Sequence, residues 1–140
     1  MMVKTETLEI ATKGNCDIID ITCEVRQAVA GSGLVNGTVT VFNVGSTAGV
    51  TTIEYEPGLV KHDMNAAFEK IAPQAGRYEH EETWHDDNGH AHVRASLLGP
   101  SLAVPFCQQE PVLGTWQQIV LIDFDTRPRT RKVVCQMMGE

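Results

Sequence analysis

Residues 37–56 constrain the fold more than any other stretch. The run Gly37-Thr-Val-Thr-Val-Phe-Asn-Val44 is β-branched and alternating, the pattern of a half-buried strand. Five small residues, Gly45-Ser46-Thr47-Ala48-Gly49, separate it from a second strand-like run at 50–56, closed by Pro57-Gly58. A parallel crossover needs a dozen residues or more, so strands joined this tightly are not parallel neighbours. Any fold for this chain must therefore rest mainly on antiparallel pairing.

The rest of the chain fills in around that segment. Residues 3–12 alternate like a strand and end in the turn Lys13-Gly14-Asn15. Ile21, Val25, Ala28 and Val29 then mark one face of a helix, with Asp20 or Thr22 as N-cap and Gly31-Ser32-Gly33 as its stop. Val60, Met64, Ala67, Phe68 and Ile71 predict an amphipathic helix over about 59–72. A short helix is expected over 91–98, stopped by Gly99-Pro100. Strands are expected at 101–106, 115–124 and 130–137, with a turn at 125–128. The expectation is a single α+β domain spanning 1–140: a mainly antiparallel sheet or sandwich with two main helices and one short one.

A chain of 140 residues can bury a real core. Its net charge of −7 argues against nonspecific binding to nucleic acid or anionic membrane. No run of about eighteen apolar residues spans a bilayer, and the first residues lack the apolar region of a signal peptide. Cys16, Cys23, Cys107 and Cys135 form no Cys-x-x-Cys pair, and are read as mostly buried thiols in a reducing compartment. A cytoplasmic protein is predicted, with no nucleic-acid or membrane partner.

Three features could carry chemistry. Four of the five histidines, His80, His85, His90 and His92, fall within residues 80–92 among several carboxylates. Imidazole is both a common metal ligand and the usual acid–base group near neutrality. If the segment is extended, His90 and His92 project to the same side, and His80 could fold back to join them in a three-histidine site for zinc or magnesium. A solvated polar loop is the alternative. The elbow 45–49 has glycines that let backbone amides approach an anion, with the Ser46 and Thr47 hydroxyls as further donors, or else is simply a tight turn. Arg127, Arg129 and Arg131 form the one cationic cluster, suited to phosphate or to guarding an exposed edge strand.

Several motifs together resemble the YjbQ family, the UPF0047 group. They are Asp20-Ile21-Thr22, Ser46-Thr47-Ala48-Gly49-Val50, Tyr78-Glu79-His80, Asn88-Gly89-His90-Ala91-His92-Val93-Arg94, Leu98-Gly99-Pro100-Ser101, Leu113-Gly114-Thr115-Trp116-Gln117 and the strand of Arg129 and Arg131. The resemblance implies an α+β homotrimer with sites near the subunit interfaces. It also implies a secondary thiamine-phosphate synthase, which joins hydroxymethylpyrimidine diphosphate to thiazole phosphate. On that reading His80, His92 and Glu54 are catalytic, and His80, His90 and His92 hold the metal. Ser46, Thr47, Arg94, Ser101, Gln117 and Arg129 grip the small phosphorylated substrate. Gly45 stands where many members carry histidine. Two other functions use the same residues: a metal-dependent hydrolase, and a non-catalytic trimer that binds a small anion or metal.

Overall fold

The computed structural model describes residues 1–140, in which eight strands and four helices follow one another. The strands are β1 (Met2–Thr12), β2 (Asp17–Asp20), β3 (Gly37–Val44), β4 (Ala48–Glu54), β5 (Ser101–Cys107), β6 (Glu110–Pro111), β7 (Gln117–Asp123) and β8 (Arg129–Gly139). The helices are α1 (Thr22–Gly31), α2 (Met64–Ile71), α3 (His80–Trp84) and α4 (Gly89–Leu98), and a π-turn, Leu59–Asp63, leads into α2. Every pairing is antiparallel. The strands form a five-stranded sheet in the order β1-β8-β3-β5-β6 and a three-stranded sheet in the order β2-β7-β4. The fold is α+β, as the short connections require. No helix is long and apolar enough to cross a membrane.

The two sheets and α1 enclose the larger core, which takes Val39 and Val41 from β3, Val133, Cys135 and Met137 from β8, and Val25 and Val29 from α1. The outer face of the three-stranded sheet is covered by α2 and α4, through Phe68, Ala91 and Ala95. β7 lies between these layers. Ile119 and Leu121 point into the first core, Val120 and Ile122 into the second, and all four are buried completely. Alternation is invisible in that strand because both of its faces are dry. Its apolar run is covered on both faces from within the chain.

Several local expectations are corrected. Residues 17–20, 80–84 and 110–111 form short elements that carry too few residues to show a period. α4 starts at Gly89, two residues before the expected start, so His90 and His92 lie on a helix and not on an extended segment. β8 pairs with β1 on one side and β3 on the other, so the arginine strand is central and guards no edge. The turn expected at 125–128 joins strands of different sheets, β7 and β8. Cys16 and Cys135 are buried with thiols pushed up to about 11 by desolvation, whereas Cys23 and Cys107 are exposed. Close backbone approach sets the site end of β4: a Cβ on Gly49 would lie 2.7 Å from the Gly99 carbonyl oxygen, which accepts from the Val50 amide at 3.1 Å.

Candidate functional site

Three connections between the two sheets lie at the same end of the sandwich: 13–16 from β1 to β2, the elbow 45–47 from β3 to β4, and 124–128 from β7 to β8. The cleft lies between two of these passages, the elbow first and 124–128 second. They are tied together by the Phe124 amide, which donates to the Thr47 carbonyl at 2.9 Å. Below the elbow, the buried Asn43 amide donates to the carbonyls of Gly45 (3.2 Å) and Ala48 (3.1 Å). The elbow is thereby held with the amides of Gly45, Ser46 and Thr47 making no hydrogen bond inside the chain. Consecutive unpaired amides in a tight turn are an anion-binding device.

A charged network fixes the second passage. Asp123 is fully buried, and Arg131 clamps it with two bonds, Nε to Oδ2 at 2.7 Å and Nη2 to Oδ1 at 2.8 Å. Thr12 donates its hydroxyl to Asp123 at 2.6 Å. Arg131 Nη2 also reaches the Thr47 hydroxyl at 2.6 Å, and that hydroxyl donates to Asp125 at 2.9 Å. Arg129, half exposed, pairs with Asp125 at 3.0 Å. Burial alone would raise the Asp125 carboxyl. The bonds from the Thr126 amide and the Thr47 hydroxyl, with the charge of Arg129, outweigh it and hold the group low and ionised. Each buried carboxylate thus has its own arginine, which buried charge requires. Arg131 Nη1 is left without a hydrogen-bond partner, beside Gly45.

The histidines divide into two groups. His80 on α3 and His92 on α4 face one another with ring centroids 4.4 Å apart. His80 Nδ1 lies 3.1 Å from Asp86 Oδ1, within ion-pair reach although the oxygen is off the hydrogen-bonding direction. His92 borders the same cleft as the elbow, Arg129 and Arg131. Partial burial, then the neighbouring His80, lower the His92 pKa, so it is a neutral base at pH 7. His90, two positions earlier on the helix, is turned into the protein, 1% exposed and 6.3 Å from the Tyr78 ring. His85 is exposed at the left-handed end of α3. No three histidine, cysteine or carboxylate side chains converge as a metal would need. The three-histidine site is therefore not assembled by this chain: an α-helix separates positions i and i+2 by about 200°, which sends His90 away from His92.

The other expected residues also separate. Ser46 is exposed at the cleft, and Thr47 is buried beneath it as a network member. Arg94 points away from the cleft and is spent inside the fold. It donates to the Ala72 carbonyl (2.8 Å), Asn65 Oδ1 (3.3 Å) and Glu69 Oε1 (2.6 Å), fastening α4 to α2. Glu54 and Gln117 face each other at the far end of the three-stranded sheet, about 20 Å along β4 from the elbow. Ser101 is exposed at the start of β5, opposite Phe42. The sequence reading undervalued Arg131 and missed Asp123 and Asp125. The available signal was two carboxylates at i, i+2 closing an apolar run, followed by two arginines at i, i+2.

The fold and cleft define a class: small α+β two-sheet proteins in which two sheet crossings meet at a polar cleft with unpaired amides, arginines and paired imidazoles. The chain belongs to the UPF0047 protein YjbQ-like family, whose model matches residues 6–140. It is 36% identical to a UPF0047 protein of Archaeoglobus fulgidus over 94% of this chain and 98% of that one. It is likewise 36% identical to UPF0047 protein YugU of Bacillus subtilis, over 96% and 98%. Among solved structures, a YbjQ-like protein of unknown function from Sulfolobus solfataricus superposes with a TM-score of 0.88 at 30% identity, covering 99% of this chain and all of that one.

Proposed function

We propose that the cleft binds a small phosphorylated substrate and that the protein is a transferase of the thiamine-phosphate synthase type. The observation that carries this reading is the meeting of the unpaired amides of residues 45–47, the free Arg131 Nη1, Arg129 and the neutral base His92 at one cleft. Amides and arginines neutralise phosphate and the charge that grows on a departing diphosphate. In the proposed reaction the thiazole nitrogen forms a bond to the pyrimidine methylene as the carbon–oxygen bond to diphosphate breaks, and that electron pair leaves with diphosphate. Ser46 orients a phosphate oxygen, while His92, held against His80, hydrogen-bonds the nascent leaving group.

The test is incubation of the purified protein with both precursors, read by mass spectrometry for thiamine phosphate. Joined product from wild type, reduced at least tenfold in Arg129→Ala and His92→Ala, supports the reading. Diphosphate hydrolysis from the pyrimidine alone favours the hydrolase. Phosphate binding without turnover leaves a binding protein.

A further inference from the structure

The cleft has two lobes, and Gly45 is the sill between them. The lobe over Arg129 and Arg131 has a volume of about 280 Å³ and is polar throughout. Against it lies a second lobe of about 440 Å³, walled by Ala48, Ala95, Ser96 and Pro100, where small and apolar groups replace the charges. Gly45, Ser46 and His92 border both. Gly45 has φ of +153°, a conformation side-chain-bearing residues rarely adopt. A Cβ placed there would lie 3.0 Å from Arg131 Nη1 and 3.6 Å from Asn43 Nδ2. Any side chain at 45 would thus crowd the one unpartnered nitrogen of a guanidinium whose side chain is only 8% exposed.

We infer that Gly45 is a specificity-determining residue: its missing side chain exposes Arg131 Nη1 to phosphate and joins the lobes, selecting a phosphomonoester that carries a small ring over inorganic phosphate alone. The inference rests on the proposed phosphate role of the cleft and adds where the rest of the ligand lies. The phosphate takes Nη1 and the elbow amides. The ring crosses Gly45 and packs on Ala48, Ala95 and Pro100, where displaced water adds affinity. Ser96 is exposed on this wall, and its hydroxyl is used only locally, to the Val93 carbonyl at 2.9 Å. A larger residue at 96 therefore fills the second lobe without touching the arginines.

The experiment compares inorganic phosphate with phenyl phosphate by calorimetry, for wild type, Ser96→Leu and Gly45→Ala, with thermal melting to check that each is folded. Wild type should bind phenyl phosphate at least tenfold more tightly than phosphate. Ser96→Leu should lose that preference and keep its phosphate affinity within twofold. Gly45→Ala should weaken both ligands and phenyl phosphate the more, narrowing the preference. Equal affinity for the two ligands in wild type, or an unchanged preference in Ser96→Leu or in Gly45→Ala, overturns the inference while leaving the phosphate site standing. Absence of binding by either ligand overturns both.

Discussion

Arg94 shows how far one residue's role depends on the direction of its side chain. Two positions from His92 in sequence, it invites assignment to the same anion site, yet the helix turns it inward to three acceptors. Its neighbour Glu69 has a carboxyl held low first by the Arg94 bond, which burial opposes and the Gln74 amide reinforces. Removing the guanidinium would strand the Ala72 carbonyl and loosen α2 from α4. Arg94→Ala should therefore cost about 2–4 kcal/mol of stability in urea titration, the scale of a buried charge-assisted set. Its affinity for phosphate should match wild type. A folded, undiminished Arg94→Ala variant with lost phosphate binding would return the residue to the site.

At the scale of an element, α4 carries the pH behaviour. His90 is lowered first by burial and then by Arg94, against the opposing charges of Glu69, Asp87 and Glu81, and its Nδ1 has no partner. His92 on the same helix is lowered too. Both hold protons less readily in the folded chain than in the unfolded one, where imidazole titrates at about pH 6.5, so the unfolded chain binds more protons below that pH. Stability should be full above about pH 6.5 and fall as pH drops through it. A further loss should follow nearer pH 4, as the lowered Glu69 and Asp125 carboxylates are protonated. Thermal melts of wild type and His90→Gln between pH 5 and 7.5 check this: the variant, whose amide stays neutral, should show a flatter profile. Parallel profiles would mean that His90 can reach a partner when charged.

For the whole molecule the open question is assembly, and we propose a homotrimer. β7 offers no surface for it, being covered on both faces within the chain. Large apolar side chains that one chain leaves in water include Trp116 (72% exposed), Trp84 (70%), Ile71 (64%) and Leu97 (60%). Light scattering should give three times the chain mass at micromolar concentration, and Trp116→Glu should reduce it. A stable monomer would refute the trimer. Assembly would also bear on Glu54 and Gln117, which one chain holds about 20 Å from the elbow. Because Arg129 is half exposed, phosphate affinity should fall as salt rises. Salt-independent binding measured between about 50 and 500 mM would place the anion on a fully buried group.

Antiparallel architecture was legible because it follows from local facts: alternation along 37–44, an elbow too short for a crossover, and a helical period at 21–29 that one face of α1 satisfies. The period at 60–71 is met only in part, since 59–63 form a π-turn and Ala67 and Ile71 stay exposed while Phe68 is buried. The elbow's unpaired amides were legible for the same reason, since small residues in a turn free the amides wherever the turn lies. Which side chains share the cleft was not, because that depends on two sheet crossings 75 residues and more apart in the chain. Packing against β7 and α2 fixes where α4 begins and how it is rotated, and that rotation sends His92 to the cleft and His90 and Arg94 inside. Arg131 likewise becomes a site residue only because β8 is central, which sets it over Asp123 and beneath Gly45. Local chemistry is carried by residue type and spacing; convergence is carried by long-range packing, which no window of sequence contains.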